Sequence, residues 1–163
     1  QITAEKNKKW RYEIAQDYLQ NIIDYKPLAE KKKKKLKAKN FTLAITTTTK
    51  RTNMDIYRTL NKNINAKAPL DEYFDLIYTR EDVSKIKPDP EVYQKAIQKF
   101  NAKPEECIIF EDSLIGIEAA KKAGIETIAI YDKYSDADTE AIKAQADFYF
   151  HNYTELLSSI DEL

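Results

Sequence analysis

Glycine is nearly missing: Gly116 and Gly124 are the only two in 163 residues. That excludes the glycine-rich loop of a P-loop protein and the dinucleotide-binding fingerprint, both of which need several. One cysteine and one histidine exclude a disulfide framework and a Cys/His zinc site. Cys107 lies in an apolar run and reads as a small buried hydrophobe. His151, beside Asn152, has no catalytic context. An excess of one charge is also missing, since 27 Lys and Arg balance 27 Asp and Glu. That balance argues against a general nucleic-acid binder. No apolar run reaches membrane-spanning length and no signal-peptide pattern is visible. The expectation is a soluble cytoplasmic protein with no nucleic-acid or membrane partner. Its length fits one domain with a sizeable core.

What is present is organised around Cys107 to Gly124, CIIFEDSLIGIEAAKKAG. A short apolar strand, Cys107 to Phe110, delivers two adjacent carboxylates, Glu111 and Asp112. Ser113 and a helical pattern follow, closed by Gly124 as a C-cap. Adjacent acids repel, so the pair calls for a cation or a shared proton. A hard cation such as Mg²⁺ suits carboxylate oxygens. In an open α/β sheet the carboxyl ends of the strands are where ligands bind. On these residues alone the alternative stays open that Asp112 or Ser113 caps the next helix.

The rest of the chain alternates helices and strands. Helical spacing runs through residues 1 to 24, carried by Trp10, Ile14, Tyr18 and Ile22. A second helix is expected from Pro27 to Lys39 and contains the run Lys31 to Lys35. Five lysines in a row read mainly as a solvated face, but they must wrap the helix, so some pack their stems against the protein. Phe41 to Thr46 reads as the first strand and ends in Thr47, Thr48 and Thr49. Hydroxyls there can bind an anion or simply make a polar turn. A helix is expected from Asn53 to Asn63, with Asn61, Asn63 and Asn65 marking a frayed end. A strand follows within Tyr73 to Thr79.

Lys87-Pro88-Asp89-Pro90 holds Lys87 on a stiff extended segment, because Pro88 restricts the residue before it. Asp89 and Pro90 suit an N-cap and a first helical position. The helix then runs to Phe100. Further strands are expected at Thr127 to Tyr131 and Phe148 to Phe150, and further helices at Asp136 to Ala144 and Tyr153 to Ile160. This alternation predicts an α/β fold with a mostly parallel, Rossmann-like sheet flanked by helices.

Three stretches in order, TTTTK at a strand end, KPDPEVY, and IIFEDSLIGIEAAKKAG, resemble the haloacid dehalogenase-like hydrolases. Within them the chain is most similar to the small phosphatases and β-phosphoglucomutase-like enzymes. The resemblance implies that Thr47 and the Thr48 backbone N–H bind the phosphoryl group. It implies that Lys87 neutralises charge there, and that Asp112 and Glu111 serve Mg²⁺. Lys6 resembles a cap lysine that faces the substrate. On this likeness residues 1–26 are the end of a helical cap and 27–163 the core.

The family's Asp-x-Asp motif, which carries the nucleophile, does not occur after an apolar strand upstream of Phe41. In the family, that first strand lies between the strand ending at Thr47 and the one ending at Asp112. Arg80 and Ile86 stand where relatives commonly have glycines. The expectation is therefore a Mg²⁺-dependent phosphatase or phosphosugar mutase acting on a small phosphorylated metabolite through an aspartyl-phosphate. The first strand is missing, and its nucleophile would come from an N-terminal segment or a second chain. The fragment by itself would be inactive. The alternative is a truncated, non-catalytic homologue that binds a phospho-ligand or a protein partner.

Overall fold

The computed structural model describes residues 15–22, 24, 26 and 29–161. Residues 15–17 are helical and pass into a π-helical turn at Tyr18–Ile22; most of the helix expected over residues 1–24 lies outside the described residues. In chain order there follow α1 (Ala29–Ala38), β1 (Ala44–Thr46), α2 (Arg51–Thr59), α3 (Lys62–Lys67) and α4 (Leu70–Tyr73). Then come β2 (Leu76–Tyr78), α5 (Glu91–Phe100), β3 (Ile108–Glu111), α6 (Leu114–Lys122) and β4 (Glu126–Ile130). The chain continues with α7 (Thr139–Gln145), β5 (Phe148–Phe150) and α8 (Tyr153–Asp161).

Two compact units emerge. The first comprises residues 1–43 and 49–75, and the second comprises 44–48 and 76–163.

In the first unit, α1 carries the lysine run. Lys31 and Lys34 are exposed, whereas Lys33 is buried with its ammonium 5.1 Å from the centre of the Phe74 ring. The run does wrap the helix, as its length requires. The single helix expected over 53–63 is two helices instead. Asn61 is fully buried and separates them. Its side chain accepts the Ile64 N–H at 2.7 Å as the N-cap of α3 and donates to the Leu19 carbonyl at 2.6 Å. Capping satisfies a helix-end N–H that would otherwise lack a partner. The pattern of three asparagines therefore marks a new helix start, not a frayed end.

In the second unit all strand pairs are parallel. β1 pairs with β2, with Ile45 opposite Ile77. β3, β4 and β5 form a separate sheet, with Phe110 opposite Ile128 and Ile128 opposite Phe148. The strands are parallel, as the alternation predicts; they form two sheets in which β1 and β3 are not neighbours, the break falling where the family resemblance puts its first strand. Strand alternation sorts the β3–β5 side chains onto two faces. One face packs Ile128, Ile130, Phe110 and Phe150 against Leu156 of α8. The other packs Ala129 against Ile117 of α6 and Ile142 of α7. A further cluster joins Val92 and Tyr93 of α5 to Ala119 and Ala120 of α6 and to Ile125. Burying each large side chain of this kind contributes about 1.5–3 kcal/mol before entropy is counted.

Candidate functional site

The site forms at the carboxyl ends of β1 and β3, within the second unit. β1 ends at Thr46, and the Thr47 N–H continues its ladder by bonding the Tyr78 carbonyl at 2.9 Å. A small open pocket follows, lined by Thr47, Thr48, Val83, Ile86, Lys87 and Val92. The structure therefore brings together the two threonines and the lysine that the sequence singled out.

The start of α5 fixes Lys87. Asp89 accepts the Glu91 N–H at 3.0 Å, and the Glu91 carboxylate accepts the N–H groups of Ser84 and Lys85 at 2.9 and 2.8 Å. Lys122 donates to the Pro88 carbonyl at 3.0 Å. The helix begins one residue later than Asp89 and Pro90 suggest, at Glu91. The Lys87–Pro88 peptide is cis. These contacts tie the loop on both sides of Lys87, so its stem leaves a fixed backbone.

The Lys87 ammonium donates to the Thr46 carbonyl at 3.1 Å and forms an ion pair with Glu111 Oε1. Both side chains are about nine-tenths buried. Glu111 is surrounded by donors. The Tyr93 hydroxyl reaches Oε1 at 2.8 Å. The Ser113 hydroxyl and the Asp112 N–H reach Oε2 at 3.0 and 3.2 Å. Burial pushes the Glu111 carboxyl upward, but the Lys87 charge and the hydrogen bonds from Lys87, Tyr93 and Ser113 outweigh it and hold it below its ordinary value. Burial and the adjacent Glu111 charge push the Tyr93 phenol far upward, so it stays an O–H donor. Gly116 of α6 makes room for the carboxylate. A Cβ built there would stand 2.0 Å from Glu111 Cδ.

Ser113 caps α6, its Oγ accepting the Gly116 N–H at 3.3 Å. The helix-cap role left open in the sequence therefore belongs to Ser113. Both Glu111 oxygens accept hydrogen bonds from protein donors, and the Asp112 carboxylate is carried beside them at the end of β3. Among the described residues no group of three or more His, Cys, Asp or Glu side chains is gathered to hold a metal ion. Glu111 and Asp112 are the two carboxylates that these residues bring to the strand end. Lys6 lies outside the described residues.

Sequence reasoning missed Tyr93. Hydrophobic periodicity places it on the buried face of α5, where the ring counts as apolar and the hydroxyl goes unread. The signal available was the hydroxyl itself, since a buried tyrosine O–H needs a partner.

Comparisons with known proteins bear on the family of the chain. A family model described as "Haloacid dehalogenase-like hydrolase" matches residues 2–130. The chain is 34% identical over 127 residues to "Phosphorylated carbohydrates phosphatase" of Thermotoga maritima, covering 77% of this chain and 55% of that protein. It is 33% identical over 129 residues to "Pyrophosphatase PpaX" of Bacillus thuringiensis, covering 78% and 56%. Among solved structures, a single-residue variant of CbbY from Rhodobacter sphaeroides in complex with xylulose-1,5-bisphosphate superposes with a TM-score of 0.74 at 27% identity. That match covers 93% of this chain and 64% of CbbY. The chain spans about half the length of the curated relatives it matches. Among the described residues no helix is long and apolar enough to cross a membrane.

Proposed function

The chain belongs to the haloacid dehalogenase-like hydrolases, and on that premise we propose that it supplies the phosphate-binding part of a phosphatase or phosphosugar mutase for small phosphorylated metabolites. One observation carries the reading: Lys87, Thr47 and Thr48 line one pocket at a strand end, with Lys87 locked onto Glu111. Phosphoryl transfer depends mainly on positioning and on compensating charge. Here the Lys87 ammonium compensates charge on the phosphoryl oxygens. The Thr47 hydroxyl and the Thr48 N–H orient the group, since the Thr47 N–H is already engaged with Tyr78. The relatives' names point to phosphorylated carbohydrates and pyrophosphate as ligand classes.

In this reading the chain contributes Asp112 toward Mg²⁺, and the remaining ligands come from elsewhere. When bound, the cation would add charge stabilisation at the transferring phosphoryl group. The attacking carboxylate also lies outside these 163 residues, on an N-terminal segment or a second chain. There the phosphoryl group would pass from the substrate oxygen to an aspartate oxygen, and then to water or a sugar hydroxyl. A second reading is a non-catalytic homologue that binds a phospho-ligand; the Lys87–Thr47–Thr48 pocket serves it equally.

Titration of the chain with inorganic phosphate, followed by calorimetry, tests the site. Saturable binding that Lys87→Ala abolishes supports it, and no binding, or binding indifferent to Lys87→Ala, sinks it. Joining an upstream segment that carries Asp-x-Asp then separates the two readings. Mg²⁺-dependent phosphate release from sugar phosphates that Asp112→Asn removes supports the enzyme. Continued inactivity supports the binding protein.

A further inference from the structure

We propose that Tyr93 is a positioning residue for Lys87: its phenol holds the Glu111 carboxylate on the Lys87 ammonium and so fixes where that cation meets an anion. The ligand in this inference rests on the phosphate reading above, whereas the positioning rests on the described geometry alone.

Tyr93 is 3% exposed and packs among Val92, Ala119, Ala120 and Ile125. Phenylalanine would fill that apolar cluster equally well, so the hydroxyl needs its own explanation. A buried hydroxyl costs stability unless it is bonded. This one donates to Glu111 Oε1, the same oxygen that receives the Lys87 ammonium. The face of the Tyr93 ring lies 4.7 Å from the Lys87 Nζ, within cation–π range. Tyr93 therefore touches both members of the ion pair. It does not line the pocket and so acts on a bound anion only through them.

The donor count shows what this arrangement achieves. A lysine ammonium has three N–H donors on a flexible four-carbon stem. Thr46 and Glu111 accept from it, and a third donor remains for an anion held by Thr47 and Thr48. Its direction is defined only while the other two are held. The Thr46 carbonyl is fixed by backbone, but Glu111 is a side chain with rotamers of its own. Tyr93 and Ser113 remove that freedom, one from each carboxylate oxygen. Without the Tyr93 hydroxyl, Oε1 keeps only the mobile ammonium, and the pair can swing together.

The test uses the whole chain with ¹⁵N-labelled lysine, the Lys87 Nζ resonance being identified by its loss in Lys87→Arg. In Tyr93→Phe the resonance should shift and broaden, while far-UV circular dichroism stays that of the parent. The dissociation constant for inorganic phosphate should rise about five- to tenfold, the loss of one charge-assisted hydrogen bond. Site-specific 3-fluorotyrosine at position 93 gives the same resonance readout without deleting a group, should Tyr93→Phe not fold. An unchanged Lys87 resonance with unchanged phosphate affinity overturns the proposal. If the parent chain binds no phosphate, the functional reading fails, and the resonance alone decides the positioning. A shift then supports it and constancy overturns it.

Discussion

Replacing Gly116 with alanine should destabilise the protein, against the ordinary rule for helices. Inside a helix, alanine is favoured over glycine by about 1 kcal/mol. Gly116 sits within α6, so propensity alone predicts a gain. The surroundings predict the reverse. The new Cβ would lie 2.0 Å from Glu111 Cδ and 2.2 and 2.3 Å from its two oxygens. The carboxylate must retreat by about 1.5–2 Å to reach ordinary contact. It is the end of a side chain and could move cheaply if it were free. It is held instead by Lys87, Tyr93, Ser113 and the Asp112 N–H. Breaking a buried pair by removing one partner costs about 3–5 kcal/mol. Displacing it costs somewhat less, and the propensity gain offsets part, leaving a net loss of about 2–3 kcal/mol. For a chain of this size that lowers the thermal midpoint by about 5–10 °C. Calorimetry or a urea titration measures it. The same change made in a Lys87→Met/Glu111→Ala background should change sign and stabilise by about 1 kcal/mol, because nothing remains to collide with. A Gly116→Ala protein as stable as its parent would falsify the packing of Glu111 against α6.

Two further perturbations probe the first unit. Burial lowers the Lys33 ammonium to about 7, with the neighbouring Glu30 charge opposing and the Lys34 charge assisting. Its folded value lies below the unfolded one, so folding favours the neutral amine. The cost of charging it is complete below about pH 7 and absent above about 10.5. Lys33→Met should therefore stabilise by about 1–2 kcal/mol near neutral pH, with the gain fading as pH rises through that window; urea titrations at pH 6.5 and 10.5 that give the same difference would refute it. Asn61→Ala removes the α3 cap and the bond to the Leu19 carbonyl in a fully buried position. It should cost about 2–3 kcal/mol, and thermal unfolding within 0.5 kcal/mol of the parent would contradict the capping role.

These cases show where the sequence was legible and where it was not. Thr47, Thr48, Lys87, Glu111 and Asp112 could be placed because strand and helix periods and proline positions bring each to an element's end. That they share a site was implied by the resemblance of the three motifs, in their order, to the haloacid dehalogenase-like family. Lys33 could not be chosen from its run, since five identical residues carry no phase. Asn61 could not be told from its neighbours, since capping depends on which carbonyl its amide reaches. The split into two sheets was legible only through the family resemblance, which puts a strand between β1 and β3. Periodicity alone names strands without naming their neighbours, because parallel pairing joins strands far apart in the chain.

The Lys87–Glu111 pair is a poor device for stability. Taking two charges out of water costs several kcal/mol per ion, and apolar residues of similar volume often do as well or better. Yet other choices in this part of the chain support it. A tyrosine stands where phenylalanine would pack. A serine both caps α6 and binds Glu111. One of the chain's two glycines stands in the first turn of α6, where the carboxylate lies. Each choice gives up some local stability or freedom, and all converge on one ammonium beside a pocket at a strand end. Stability does not explain that convergence, whereas the proposed role, a cation held in a fixed direction for a phosphoryl group, would. A Lys87→Met/Tyr93→Phe/Glu111→Leu protein, with Gly116 kept, should therefore be at least as stable as its parent and bind no phosphate. If it lost stability by several kcal/mol instead, the pair would be a structural element and the argument from convergence would fail.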